Sequence, residues 1–153
     1  MNSLYFAFGS CMHQQDLART VQAETVGPAR LAGYRLAFTK YGMSRQGGVA
    51  DLVEAREDYT EGMVFRVPDF AALDAREGAP VMYVRVPVQV KLTETGEILE
   101  VHTYMIREKE DEEIKPSDYY AGLITEGAGQ LSEEYQAKLR RVLAVRRKSG
   151  GES

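Results

Sequence analysis

From Val84 to Leu92 every second residue is aliphatic (Val84, Val86, Val88, Val90, Leu92), and Arg85, Pro87, Gln89 and Lys91 stand between them. A period of two predicts a strand packed on one face and wet on the other. Pro87, with no N–H to donate, makes it an edge or bulged strand. Thr93-Glu94-Thr95-Gly96 reads as a hairpin connection to a returning strand over 97–107, where Leu99, Val101, Thr103 and Met105 share a face. The nearly continuous apolar run Leu4–Phe8 predicts a strand buried on both faces and stopped by Gly9-Ser10. Three more strands are predicted over 34–39, 49–54 and 62–67. A loop with Gly42, Gly47 and Gly48 separates the first two, and Pro68 stops the last.

Helical spacing appears in four places. Leu17 and Val21 predict a helix over 14–21, with Gly27-Pro28 closing that segment. Asp69 is the expected N-cap of a short helix that Gly78 stops, with Phe70, Leu73 and Glu77 on one face. Ser117 caps a helix that carries Tyr120, Leu123 and Ile124 and ends at Gly127. Ser132 caps another, with Tyr135, Leu139, Val142 and then Val145 or Arg146 at helical spacing. The acidic run Glu108–Glu113 reads as a solvated loop, and the basic, then small and polar end reads as fraying. Six strands arriving mostly in succession, with short helices at the start, middle and end, predict an α+β domain with a strongly curved or closed sheet. One domain is expected over 1–148, followed by a flexible tail over 149–153.

Composition narrows the function. A chain of 153 residues, 44% hydrophobic and 27% charged, suits a single globular core that needs no staples. A formal charge of −4 argues against an electrostatic grip on nucleic acid. The apolar start lacks a basic flank and is too short for a signal peptide or a membrane span. Cys11 is the one cysteine and has no internal disulfide partner, and two histidines do not make a zinc-site spacing. These features lead to the expectation of a cytoplasmic protein that needs no metal.

Three groups of residues can carry chemistry. Gly9 allows close backbone approach, and the amides after it open a helix, so this turn is either an anion or oxyanion cradle or simply a capped turn. Glu77 falls on the apolar face in the last turn of its helix, where burial and the helix dipole both raise a carboxyl pKa toward values useful for acid–base work. The alternative is a solvated Glu77, or one paired with Arg76 or another cation. Cys11 with His13 is a third candidate, as a thiol nucleophile or as a small structural thiol. Tyr83 and Tyr104 lie out of phase with the aliphatic rows, so both project from the opposite face of the hairpin, as packing or as hydroxyls lining a polar cavity.

Taken in order, these segments resemble the gamma-glutamylcyclotransferase-like family. The opening Tyr5-Phe6-Ala7-Phe8-Gly9-Ser10-Cys11 is similar to that family's Tyr-Phe-Ala-Tyr-Gly-Ser-Asn, and Leu73-Asp74-Ala75-Arg76-Glu77-Gly78 to its Leu-Asp-x-x-Glu-Gly. Gly47-Gly48-Val49-Ala50, Glu61–Phe65, Met82-Tyr83-Val84, Thr103-Tyr104-Met105, Pro116–Tyr120 and Leu131–Tyr135 resemble further family segments. The resemblance implies a small barrel-like α+β domain with a cavity at one end. It also implies an amide-cleaving lyase or acyltransferase that converts a γ-glutamyl amide into 5-oxoproline and a free amine without a cofactor. In that reading Glu77 is the general acid and base, and the segment from Tyr5 to Cys11, with Tyr83 and Tyr104, forms the substrate site. A homodimer follows from the resemblance alone.

Phe8 and Cys11 depart from the family's Tyr and Asn, and the turn between Glu77 and Tyr83 looks shorter than in glutathione-pathway members. The amine side of the substrate is therefore left open, as is a module that binds a γ-glutamyl or carboxylate ligand without turning it over.

Overall fold

Ser3–Ala7 forms β1, Glu24–Gly42 β2, Gly47–Val67 β3, Tyr83–Leu92 β4 and Ile98–Ile106 β5 in the computed structural model, which describes residues 3–151 and side chains 3–144. The strands close into a barrel in the order β1-β3-β2-β4-β5. All pairs are antiparallel except β1 with β5, which meet in parallel at Tyr5 and His102. The helices are α1 (Gln14–Ala18), α2 (Ala71–Glu77), α3 (Asp118–Gly127) and α4 (Glu133–Gly151), with 3₁₀ turns at Ser10–Met12 and Ala128–Gln130. Among the described residues no helix is long and apolar enough to cross a membrane.

The α+β class and the closed sheet agree with expectation, but there are five strands where six were predicted. The stretch before residue 34 is not closed by Gly27-Pro28; it belongs to β2. Gly27, at φ +151°, sits where the β2–β3 register shifts. A bulge there bends the strand without ending it, a conformation that glycine adopts cheaply. Pro28 then pairs with Met63, and its carbonyl accepts from the N–H of Thr93 at 2.9 Å. The predicted strands over 49–54 and 62–67 are likewise one strand. Tyr34 faces Glu54 while Ala32 faces Tyr59, so a polar stretch of β3 stands opposite Gly33 and masks its continuity in a hydrophobic pattern.

The hairpin of β4 and β5 follows the predicted alternation, with Val84 opposite Met105 and Val88 opposite Val101. Pro87 pairs across to β5, whereas β2 pairs with β4 only at Lys91 and Leu92, so the proline sits where β4 has one strand neighbour. The first helix stops at Ala18, short of Val21. Asp69 stands one residue outside the α2 cap position, yet its carboxylate accepts from the N–H of Ala71 at 2.9 Å. Ser117 and Ser132 accept from the N–H groups of Tyr120 and Tyr135, as caps do. Val145, Arg146 and the expected tail lie outside the described side chains.

The acidic run is a largely exposed loop, as expected, but it is anchored along β2. Glu110 N–H donates to the carbonyl of Thr39, Ile114 N–H donates to that of Phe38, and the Glu113 carboxylate accepts from Phe38 N–H and Arg35. The chain here is laid against β2, and its carboxylates satisfy backbone donors that would otherwise face water.

Phe6, Phe38, Phe65, Leu52 and Val90 are fully buried and fill the core, each contributing roughly 1.5–3 kcal/mol by burial. Two buried carboxylates tie outer elements to it. Asp51 accepts from Thr39 Oγ1, Ile106 N–H and Lys109 Nζ. Glu61, 2% exposed, accepts from Arg30 and from the N–H and hydroxyl of Ser132, which fastens the start of α4 to β3. Replacing Glu61 by Ala takes the carboxylate partner from the partly buried N–H and hydroxyl of Ser132. The expected cost is about 2–3 kcal/mol in urea unfolding, with the barrel's β signature retained in the native baseline.

Candidate active site

β1 and β5 run in parallel, and Tyr83 at the start of β4 pairs with Ile106 at the end of β5. The end of β1, the start of β4 and the end of β5 therefore meet at one end of the barrel. The Ser10–Met12 turn and α2 lie against this end. Here Gly9, Ser10, Cys11, Tyr5 and Phe8 line a small cavity of about 30 Å³, a space on the scale of a water molecule or a carboxylate oxygen. Glu77, Tyr83 and Tyr104 complete it together with Ala50 and Tyr120. A wider cleft of about 630 Å³ opens beside it, and Ser10, Glu77, Tyr83 and Tyr120 line both spaces. Glu77 thus stands at the neck where the small cavity and the wider cleft meet.

Phe6 and Ala7 lie outside the cavity lining. Phe6 is fully buried in the core, with its ring 6.4 Å from that of Phe8. Cys11 and His13 do not meet as a catalytic pair. Nδ1 of His13 accepts from the N–H of Asp16 at the start of α1, while Nε2 lies 3.2 Å from Glu126. Burial pushes the Cys11 thiol up to about 11, with the charge of Arg76 acting the other way. A neutral, enclosed thiol is a poor nucleophile, so this candidate falls away.

The backbone of Ala50 is held from two sides: its N–H donates to the Tyr120 hydroxyl at 3.0 Å, and its carbonyl accepts from the Tyr83 hydroxyl at 2.7 Å. Tyr104 donates to Asp74 Oδ1 on α2 at 2.6 Å, and its ring meets that of Tyr5 edge-on at 5.9 Å. Burial above all raises the pKa of each of these four tyrosines, so their hydroxyls stay protonated at neutral pH. Gly9 is fixed by space: a Cβ there would lie 3.0 Å from that of Ala50 and 3.6 Å from the Tyr120 hydroxyl.

Glu77 ends α2, just before Gly78 in the left-handed region at φ +68°. Its side chain is 17% exposed and its Oε2 lies 3.5 Å from Nε of Arg76, so burial and pairing, read as alternatives from the sequence, occur together. Burial raises its pKa above the ordinary glutamate value. The charges of Arg76 and Arg45 oppose this without cancelling it, and Asp16 adds to it.

Sequence reasoning did not find the cluster behind this carboxyl. Nη1 of Arg76 donates to the Asp16 carbonyl and to Thr20 Oγ1, and its Nη2 donates to the Asp16 carboxylate and, at 3.4 Å, to Ser10 Oγ. Nη2 of Arg45 reaches the same Ser10 Oγ at 3.3 Å and Asp16 Oδ2 at 3.4 Å. Burial alone would raise the pKa of Asp16, but the hydrogen bond and charge of Arg76, the charge of Arg45 and the Ser10 hydroxyl outweigh it and hold it low. Neighbours some 60 positions apart in the chain leave no local pattern. The one local signal was Arg76 next to Glu77. Among the described residues no group of acidic, histidine and cysteine side chains is arranged to hold a metal ion.

Residues 5–122 match the family described as Gamma-glutamyl cyclotransferase, AIG2-like. The chain is 36% identical to YkqA of Bacillus subtilis (strain 168) over 150 residues, covering 90% of this chain and about half the length of YkqA. A solved gamma-glutamyl cyclotransferase aligns with 92% of this chain and 87% of its own at a TM-score of 0.86 and 28% identity. An uncharacterized human protein, loc79017, aligns at 0.84 and 30% identity over 91% of this chain and 86% of its own.

The opposite displacements of Asp16 and Glu77 give opposite pH signs. Asp16, ionised more easily when folded, contributes stability above its unfolded pKa of about 3.9 and loses it as pH falls through the lower folded value. Glu77, protonated more easily when folded, contributes below its unfolded pKa of about 4.3 and loses that contribution as pH rises through the higher folded value. Asp16→Asn is expected to lower unfolding stability by about 2 kcal/mol at pH 7, because two partly buried guanidinium groups lose their shared counter-charge. The gap to wild type should narrow as urea titrations are repeated toward pH 3.

Proposed function

Because the chain belongs to the gamma-glutamyl cyclotransferase, AIG2-like family, we propose that it is a cytoplasmic enzyme that cleaves a γ-glutamyl amide by ring closure, with Glu77 as its acid and base. The observation that carries this reading is the position of Glu77, a mostly buried carboxyl with a raised pKa at the neck between cavity and cleft.

Glu77 takes a proton from the α-ammonium of the glutamyl group. The freed amine attacks the side-chain carbonyl carbon of the same molecule, a new C–N bond closes the five-membered ring, and charge collects on the carbonyl oxygen. Collapse of the tetrahedral intermediate breaks the old C–N bond. The α-nitrogen gives up two protons in all and keeps one in 5-oxoproline. The departing nitrogen starts with one proton and leaves as an ammonium with three. A carboxyl held by burial above the ordinary glutamate pKa keeps a proton more readily than an exposed glutamate, so the same group serves both halves of the relay.

Backbone N–H groups of Gly9, Ser10 and Cys11 cradle the substrate carboxylate or the developing oxyanion in the small cavity. Losing one oxyanion donor costs roughly 3–4 kcal/mol of barrier. Cys11 and Phe8 in place of the family's Asn and Tyr leave these amides in place. Tyr83 and Tyr104 flank the ring, and their protonated hydroxyls orient it without exchanging protons at neutral pH. Nucleophile and electrophile belong to one molecule, so holding the glutamyl chain in its ring-closing conformer supplies up to roughly 7–11 kcal/mol.

The purified protein, incubated with a panel of γ-glutamyl amino acids and γ-glutamyl amines, is expected to release 5-oxoproline, measured by mass spectrometry. Glu77→Gln should reduce kcat by about 10³-fold or more with little change in thermal unfolding. A Gln variant of undiminished rate would remove Glu77 from the mechanism. A protein that binds 5-oxoproline but releases none from any substrate would instead be a binding module.

A further inference from the structure

His13 takes no part in the ring closure, yet it joins two elements of the site. Its N–H donates to the Ser10 carbonyl at 2.9 Å and its carbonyl accepts from Leu17 N–H at 2.9 Å, so one residue couples the cradle turn to α1. α1 has five residues, too few to persist without outside support. That support centres on Asp16. Its N–H donates to Nδ1 of His13 at 3.3 Å, its carbonyl accepts from Arg76 Nη1 at 3.1 Å, and its carboxylate accepts from Nη2 of both Arg76 and Arg45. His13 holds one end of the residue and the two arginines hold the other.

The His13 ring can do this in one neutral tautomer only. A neutral imidazole has one N–H and one lone pair, an imidazolium has two N–H groups and accepts nothing, and the partner of one nitrogen decides what the other presents. Nε2 lies 3.2 Å from Oε1 of Glu126, so the hydrogen belongs on Nε2 and the lone pair of Nδ1 meets Asp16 N–H. α3 brings Glu126 there, because its end packs so closely on this turn that a Cβ at Gly127 would lie 2.6 Å from the backbone nitrogen of His13. Glu126 is 71% exposed and adds little to stability, but a choice between two tautomers needs little. Glu126 and Asp16 are the titratable residues that meet the ring. Met12, Gln14, Gln15, Met63 and Gln130, which line the groove beside it, carry no charge.

Resting on the acid–base reading of Glu77 above, we propose that His13 is a positioning residue of this site: its Nδ1 seats Asp16 as the partner of Arg76 and Arg45, and Glu126 fixes the tautomer that allows it. With Asp16 seated, Nη1 and Nη2 of Arg76 are engaged by Asp16, Thr20 and Ser10, and its Nε, at 3.5 Å, is what remains for Glu77. The charges that bear on Glu77 are those of Arg76, Arg45 and Asp16. Without the cap the first turn of α1 loosens, Asp16 leaves the guanidinium groups, and Arg76 becomes a fuller counter-charge for Glu77. The negative charge of Asp16, which works against ionisation of Glu77, recedes at the same time. Both changes favour the ionised carboxyl.

The test follows the Glu77 side-chain carboxyl by 13C NMR titration in wild type, His13→Leu and His13→Asn. Leu fills much of the ring's volume without an acceptor, whereas Asn supplies a neutral N-cap oxygen. His13→Leu is expected to lower the Glu77 midpoint by about one pH unit, the small end of the effect of a nearby opposite charge, and to carry the acidic limb of kcat/KM down with it. His13→Asn should keep both at their wild-type positions. A purely structural His13 would make the Leu variant melt earlier with the Glu77 midpoint unmoved. That result, or an Asn variant that falls with Leu, would overturn the proposal. Should His13→Leu fail to fold, the wild-type ring decides. Long-range 1H–15N correlation at mildly alkaline pH is expected to place the hydrogen on Nε2, and a hydrogen on Nδ1 would contradict the assignment. None of these titrations needs turnover, so failure of every γ-glutamyl substrate to give 5-oxoproline would defeat the cyclisation reading and leave the effect of His13 on Glu77 standing.

Discussion

One guanidinium set between two carboxylates organises this site. Arg76 gives its strongest hydrogen bonds to Asp16, which Arg45 and Ser10 also hold, and meets Glu77 only through Nε at 3.5 Å. Asp16 therefore receives more positive charge than its burial costs, while Glu77 receives less. Two carboxyls that share a partner are driven in opposite directions from their ordinary pKa values, and only the one left protonatable faces the cavity. Separating two titratable groups by environment in this way is how one site can contain both a fixed charge and a mobile proton.

The fold exists around that arrangement at some expense to itself. Burial disfavours the ionised form of Glu77, and the Asp16 cluster joins α1, the turn at Ser10 and α2 through one set of charge-assisted bonds. The same elements set the walls. Tyr83 from β4 and Tyr120 from α3 grip the backbone of Ala50 on β3, and Tyr104 on β5 is fastened to Asp74 on α2. Each wall of the cavity is thus a hydrogen bond between separate elements, so its shape follows from barrel closure and not from the flexibility of a loop. The β2–β3 hairpin is the exception. It carries Arg45 and the exposed Met43 to the edge of the wider cleft.

The sequence was legible where one physical rule acted alone. Alternation from Val84 to Leu92 is the imprint of a sheet with one dry face, and it located β4 and β5 to within a residue or two. The spacing of Phe70, Leu73 and Glu77 put a carboxyl on a buried helix face, and the structure finds it there. Legibility failed where two rules met. Gly27 has the look of a stop, yet in β2 it is the residue that lets a long strand bend, and the polar stretch of β3 before Glu61 is a strand because β2 pairs with it, not because it hides apolar surface. Glu113 looked solvated because a carboxylate usually is; here it satisfies the N–H of Phe38. The Asp16–Arg76–Arg45 cluster is a product of tertiary contact alone, and so is the neck that it borders.

The central claim is that a buried, protonatable Glu77 moves the proton during ring closure. It is tested most directly by titrating the 13C-labelled glutamate side-chain carboxyl, assigned with the Glu77→Gln spectrum, and overlaying the pH dependence of kcat/KM. A midpoint above the ordinary glutamate value of about 4.3, coinciding with the acidic limb of the rate profile, is the result this account requires. A Glu77 that titrates at or below that value, or an acidic limb that tracks some other group, would contradict it.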